Sequence, residues 1–394
     1  MLPLLIAIAL APLVVALYAY VGYPILLRFA AGSPKRAIDV EPPAEWPTVT
    51  VTVPVHNAAP SIAATIESIL AIEYPRDRIQ YLAISDASTD GTDDVVQQFA
   101  ARGVELLRIP DRRGKTWAEN VAVASARGEI IVNIDATVTV PPASLKPLIR
   151  AFDDPSVGVA SGRDVSAGDA LPDGRGGESK YVGYEMWIRD LETRVGSIVG
   201  ASGCFYAIRR AVHAAPLPAE YSWDFASALT ARELGFRSVS VPDAVCLVPP
   251  TRAIATERTR KVRTMARGLS TLYYKRALMN PFRYGGFAFM LMSHKLLRWL
   301  PYLLMPAALL AVIALAVTEP LARPILAVVA VGWLLGVIGS RVRGTGRAAR
   351  LLRFAGFVTA ILTAGFLAWV EAFRRTKMAT WDPTPRAAVQ LAKL

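Results

Sequence analysis

The chain is 394 residues long, 53% hydrophobic, and carries a formal charge of +12. That length suits one large folded domain plus further segments, and the apolar excess is concentrated at the two ends of the chain. Two cysteines (Cys204, Cys246) and three histidines (His56, His213, His294), none at CxxC or HxxxH spacing, argue against a zinc centre. The cysteines read instead as reduced packing residues.

The first apolar run, LPLLIAIALAPLVVALYAYVGYPILL (2–27), has no charge and is long enough for a hydrocarbon core of about 30 Å. A secretory signal peptide is the competing reading, but the run is too long, lacks a basic leader, and is followed by no clear small-residue cleavage site. Arg28, Lys35 and Arg36 come next, which by the positive-inside rule places the following region in the cytoplasm. Residues 1–32 are therefore expected to anchor the chain in the cell (inner) membrane.

From Pro47 to about Val248, short apolar runs alternate with helical patterns. This predicts an α/β domain with a mainly parallel sheet within residues 33–250. Strands are expected at 48–55, 80–85, 104–109, 129–135 and 157–162, and helices at 61–72, 115–126 and 141–152. The polar, Gly-rich stretch 166–179 is expected to be a flexible loop. Next comes a basic block: Arg252 to Arg298 holds eleven Lys or Arg and a single acid, Glu257. It leads directly into apolar sequence, so anionic lipid headgroups suit it better than nucleic acid, and 251–298 reads as an amphipathic interfacial segment. Apolar runs at 296–317, 324–339 and 354–370 predict C-terminal membrane helices within 299–394, with a basic tail that begins FRRTK (373–377). If all four apolar runs span, that tail and the α/β domain fall on opposite sides. The positive-inside rule prefers both inside, which points to one run being re-entrant or interfacial.

In an open α/β sheet, ligands gather at the carboxyl ends of strands. Three acids occupy such places: Asp86 after YLAIS, Asp135 after IIVNI, and Asp224 in SWDFASAL. A cap or loop carboxylate is the alternative for each. It is the stronger reading for Asp90 in STDGT and the weaker one for Asp86 and Asp135, which follow apolar strands directly. Asp224 opens a helix, so its position alone suits a cap.

These stretches also carry a family resemblance. VTVPVHNAAPSIAATIESILAIEYPRDRIQYLAISDASTDGT resembles the opening of family 2 glycosyltransferases: a strand, an Asn, a helix ending in Tyr-Pro, and a strand ending in Asp-x-Ser-x-Asp-Gly-Thr. The likeness continues through RRGKTWAENVAVASARGEIIVNIDA, where that family has Gly-Lys, an Asn and an Asp-x-Asp strand. It continues again through GASGCFYAIRR (200–210), SWDFASAL and GFRSVSVPDAVCLVPP (235–250). The basic block and terminal apolar runs resemble the membrane-bound polysaccharide-synthase branch. The implied fold is a GT-A nucleotide-sugar-binding domain flanked by transmembrane helices.

The implied function is an inverting glycosyltransferase at the cytoplasmic membrane face. It would move a sugar from a nucleotide-sugar, of UDP type, to a polysaccharide or a lipid-linked acceptor. On this resemblance Asp86 would bind uracil or ribose, with His56 and Asn57 lining the same pocket. Lys115 would be a cation near the nucleotide, its alternative being a solvated loop lysine. Asp135 would hold Mg²⁺ or Mn²⁺ against the diphosphate, and Asp224 would be the general base. Arg260 and Arg263 would pair with diphosphate oxygens, the alternative being a helix that binds headgroups. Trp187 and Trp223 are candidates for stacking on an acceptor sugar or, equally, for the core.

Three departures from the family pattern stand out. Asn57 is followed by Ala58-Ala59 instead of Glu. The metal motif reads Asp135-Ala136-Thr137, without its second carboxylate. Arg260-Lys261-Val262-Arg263-Thr264 lacks the Trp of the processive enzymes' motif. Thr137 motivates a rival reading, a catalytically degenerate component that binds nucleotide-sugar or scaffolds a synthase complex. A Rossmann oxidoreductase is disfavoured, since no GxGxxG follows the first strand.

Overall fold

The computed structural model describes residues 1–32, 45–166, 176–249, 254–342, 344, 346–376 and 378–380. The chain divides into two compact units. One comprises Met1–Leu26, Ala253–Tyr273 and Ala288–Thr376, and the other Leu27–Arg252, Tyr274–Phe287 and Lys377–Leu394.

The second unit is built on a seven-stranded sheet: β1 (Val49–Val55), β2 (Ile79–Asp86), β3 (Val104–Ile109), β4 (Ile130–Ile134), β5 (Val157–Ser166), β6 (Phe205–Arg209) and β7 (Arg237–Val248). The spatial order is β3-β2-β1-β4-β6-β5-β7. Every pairing is parallel except those of β6, which runs antiparallel between β4 and β5. β1 has β2 on one side and β4 on the other, so the connections diverge there and open a crevice at the carboxyl ends of these strands.

All seven residues of β1 are buried, as expected of a β-branched parallel strand covered on both faces. Its polar side chains are matched across the sheet: Thr50 Oγ1 donates to Gln80 Oε1 at 2.8 Å and Thr52 Oγ1 to Asn133 Oδ1 at 2.8 Å. On one side the helix Ala59–Leu70 places Ile62, Ile66 and Ile69, spaced four and three apart, in the main core. The helix Lys115–Ser125 approaches Leu82, Ile84 and Ile109 through the small residues Ala118 and Ala122.

The five expected strands form. β6 and β7 were legible only as family motifs: β6 is five residues long, and β7 carries exposed Pro242 and Asp243 near an irregularity in its pairing with β5. The helix expected at 141–152 is broken into a 3₁₀ turn (Pro142–Ser144), the helix Leu145–Arg150 and a second 3₁₀ turn (Ala151–Asp153). Most of the expected loop at 166–179 lies outside the described residues, and the helix Gly176–Val195 begins within it.

Among the described residues, four helices that lie mostly in the first unit are long and apolar enough to cross a membrane: Leu2–Ala31, Gly286–Thr318, Ala322–Gly339 and Arg347–Phe373. The first two each contain one π-helical turn (Tyr18–Gly22 and Met292–Leu296), joined by a 2.9 Å hydrogen bond between Tyr18 Oη and Ser293 Oγ. Trp369 Nε1 donates to the Trp299 carbonyl at 2.8 Å, and Gly365 packs on the Tyr302 ring. The C-terminal part of the last helix thus packs against the middle of Gly286–Thr318. Ala322–Gly339 instead meets the N-terminal half of that last helix, where Gly336, Gly339 and Gly356 allow close backbone approach to Thr359, Leu352 and Ser340.

Ile131 on β4 is about 1% exposed. Ile131→Ala is expected to cost about 2–5 kcal/mol, measured as a lowered midpoint of thermal unfolding. An unchanged midpoint would contradict the packing described here.

Candidate active site

The crevice is lined by the segments that leave β1, β2 and β4. Directly after β1, His56 is buried and its Nδ1 lies 2.6 Å from the Asp86 carbonyl oxygen. Asn57 follows with φ +46°, a left-handed conformation that Asn tolerates better than most residues. Its Oδ1 accepts from the Thr89 amide at 2.8 Å. The Ala58 amide donates to Thr92 Oγ1 (2.8 Å) and the Ala59 amide to Asp90 Oδ2 (3.1 Å). Asp90 also accepts from the Thr92 amide and hydroxyl. Burial opposes its ionisation, but these bonds outweigh it and hold its pKa below the ordinary value. Asp90 is thus a clamp between two loops.

Asp86, at the end of β2, is almost wholly buried. Its Oδ1 accepts from the Arg113 amide and its Oδ2 from the Gly114 amide, both at 2.7 Å. This carboxylate grips the loop before the helix Lys115–Ser125. Gly114 is required twice over: its φ is +95°, and a Cβ there would lie 2.0 Å from the Ala379 carbonyl oxygen.

The first residue of that helix, Lys115, brings the remaining acids together. Its Nζ is 2.5 Å from Asp135 Oδ1, 2.9 Å from the Gly203 carbonyl oxygen and 4.0 Å from Glu119 Oε1. Burial disfavours the ammonium, yet Asp135, Glu119 and Asp224 together raise its pKa well above the ordinary lysine value. Asp135, beyond β4, is about one-third exposed (32%), and its backbone amide donates to the Cys204 carbonyl at 3.0 Å. Asp224 begins the helix Trp223–Glu233. Its Oδ1 accepts from the Ser222 hydroxyl and the Phe225 amide, while a Cβ on Gly203 would stand 2.8 Å from its Oδ2. Asp135, Lys115, Gly203 and Asp224 therefore form one continuous polar cluster at the carboxyl edge of the sheet.

The segment before Asp224 is tied to the lysine-bearing helix. Asn120 Nδ2 donates to the Leu217 carbonyl and its Oδ1 accepts from Trp223 Nε1, both at 2.7 Å; Thr116 Oγ1 donates to the Tyr221 carbonyl at 2.7 Å. Trp223 is buried with its ring 4.1 Å from that of His213, so it belongs to the core. Burial pulls the His213 pKa down to about 4 and keeps it neutral at neutral pH. Trp187 is 44% exposed beside Tyr184.

Arg260 and Arg263 lie on the helix Ile254–Tyr274, whose residues through Tyr273 belong to the other compact unit. Sequence reasoning missed Glu119, a buried carboxylate four residues after Lys115 that accepts from Tyr206 Oη at 3.3 Å. Its i, i+4 spacing from Lys115 was the available signal. The Gly203 carbonyl, a backbone group, left none. Cys204 and Cys246 are both free thiols; burial, followed by the Asp164 charge, raises the Cys246 pKa well above the ordinary value.

The architecture defines a class, the GT-A-type α/β domain that binds ligands at a strand-crossover crevice. It aligns with the mannosyltransferase PcManGT from Pyrobaculum calidifontis in complex with GDP-Man and Mn²⁺, at a TM-score of 0.71 and 24% identity, over 94% of this chain and 99% of that one. Residues 50–215 match the family described as Glycosyl transferase family 2, which supports a family 2 domain in this part of the chain. An N-acetylglucosaminyltransferase of Rhizobium sp. (strain N33) is 24% identical over 51% of this chain and 48% of the relative. The beta-monoglucosyldiacylglycerol synthase of Synechocystis sp. is 28% identical over 41% and 35%, respectively. Among the first such relatives, the matched region spans between 29% and 59% of the relative's length.

Asp86→Asn would leave one of the two loop amides facing an NH₂ group instead of an oxygen. Hydrogen exchange at Arg113 and Gly114 is expected to accelerate on the order of tenfold, with the β1 core amides unchanged. Unaltered exchange at both positions would contradict the clamp.

Proposed function

We propose that the protein is an inverting glycosyltransferase that moves a sugar from a nucleotide-sugar to the hydroxyl of a saccharide or lipid-linked acceptor. The observation that carries this reading is the convergence of Asp135, Lys115 and Asp224 in one cluster at the strand-crossover edge. The relatives' names, which include an N-acetylglucosaminyltransferase and a glucosyldiacylglycerol synthase, support both acceptor classes. The neighbouring structure with GDP-Man supports a nucleotide-sugar donor. UDP and GDP sugars are the donors to try first. The four apolar helices support action at a membrane, and the basic residues after the first of them support a cytoplasmic domain.

Asp224 acts as the base. Two hydrogen bonds fall on its Oδ1, which orients Oδ2 beside Gly203 to take the proton of the acceptor hydroxyl. The acceptor oxygen attacks the anomeric carbon as the bond to the diphosphate oxygen breaks. The leaving nucleoside diphosphate departs with that electron pair, and one displacement inverts the centre. His56, Asn57 and Asp86 line the nucleotide end, with Asp86 setting the Arg113-Gly114 backbone.

Mn²⁺ in the neighbouring complex supports a divalent metal here. Among the described residues no three His, Cys, Asp or Glu side chains group closely enough to hold one. Asp135, partly exposed, fits the ion as a single hard ligand completed by the donor's phosphate oxygens. Bound in that way, the ion would supply Lewis-acid stabilisation of the leaving diphosphate.

The test is release of UDP or GDP by the full chain in detergent, from a nucleotide-sugar panel with Mg²⁺ or Mn²⁺ and a membrane lipid extract. Asp224→Asn is expected to lower turnover by about 10²- to 10⁴-fold while nucleotide binding persists. Binding without release from any donor would favour the degenerate, scaffolding reading that Thr137 motivates.

A further inference from the structure

A cation already occupies the acid cluster. Lys115 Nζ lies against Asp135 Oδ1, the Gly203 carbonyl oxygen and, farther off, Glu119 Oε1, at 2.5, 2.9 and 4.0 Å. Two carboxylates and a carbonyl around a positive centre are the oxygen environment that a hard metal ion would take. Here the charge is carried by a side chain. The chain also has Thr137 in place of the second metal carboxylate, so the neighbourhood lacks one negative charge that a divalent ion would balance.

The geometry leaves the ammonium with work to do. An ammonium has three N–H donors, and hydrogen bonds to Asp135 and Gly203 use two of them. Glu119 stands beyond hydrogen-bond distance of the third. Glu119 is nevertheless buried and held by Tyr206 Oη, so its charge steadies the ammonium from the helix side. The Lys115 side chain remains 22% exposed, and neither of its two hydrogen bonds uses the third donor. Asp86 fixes the base of this arm by gripping the two backbone amides that precede Lys115.

We propose that Lys115 is a tethered cation of the donor site. Its third N–H meets a diphosphate oxygen, and its charge substitutes for the part of the metal's role that Thr137 has weakened, so that nucleoside-diphosphate binding persists without a divalent ion. The proposal rests on the nucleotide-sugar reading above. It assigns donor binding to the lysine, while a metal held by Asp135 and phosphate still contributes to turnover.

The experiment titrates the full chain in detergent with UDP and with GDP by calorimetry, once in EDTA and once in MnCl₂. For the nucleotide that binds, the wild-type Kd is expected to differ by less than about threefold between the two conditions. Losing a charge-assisted hydrogen bond in Lys115→Met should weaken binding in EDTA by about tenfold or more. Mn²⁺ should recover part of that loss, because Asp135 is then released from the lysine. Thr137→Asp should make binding respond to Mn²⁺ by restoring the second carboxylate. A thermal midpoint within a few degrees of wild type checks that Lys115→Met is folded, and the wild-type comparison stands without any variant. A wild-type Kd that weakens tenfold or more in EDTA, or binding seen only with Mn²⁺, overturns the proposal and leaves the nucleotide-sugar reading intact. Equal binding by Lys115→Met and wild type in EDTA also overturns it. Failure of both nucleotides to bind in either condition overturns both.

Discussion

The ion pair between Lys115 and Asp135, completed by the Gly203 carbonyl, is the constraint on which the site depends. A partly buried carboxylate beyond a strand is costly unless a charge or a set of donors meets it. The lysine supplies both, and in doing so joins three segments far apart in sequence: the loop after β3, the end of β4 and the turn that enters β6. Gly203 then stands against the Asp224 carboxylate, so the same contact bears on where that carboxylate lies. Displacing any one of these groups would move the others.

Much of the surrounding polar chemistry is backbone-directed. Asp86 accepts two amides, Asn57 accepts one, and Asn120 brackets Leu217 while holding the indole of Trp223. These side chains spend hydrogen bonds on loops because loops at the sheet's edge have no ladder to satisfy their amides. The result is a rim of loops tied by side chains around the Lys115–Asp135 cluster. Trp223 also shows why an aromatic beside an acid need not touch ligand: its ring packs on His213 and its nitrogen is already bonded.

The four apolar helices are held together by contacts that hydropathy does not register. Trp369 bonded to Trp299 sets the C-terminal part of the last helix against the middle of Gly286–Thr318. The 18-residue helix Ala322–Gly339 meets that last helix through Gly336 and Gly339, at its far half. Hydropathy registers both helices as apolar segments. Which partner Ala322–Gly339 packs against is set by where glycine lets two backbones approach, and no composition window measures that.

The amino-acid sequence by itself determined the α/β class, five of the strands, the apolar helices, and the acids at strand ends. Each is encoded by local periodicity or by a run of adjacent residues, which a linear reading captures. It also marked Thr137 as a departure, because a missing carboxylate is visible without coordinates. Only the tertiary structure decided that β6 runs antiparallel between β4 and β5, that Glu119 joins the cluster, and that a glycine carbonyl completes the lysine's surroundings. The physical reason is the same for all three. They arise from contacts between segments tens of residues apart, and a backbone carbonyl or a single buried carboxylate carries no sequence signal of the partner it will meet.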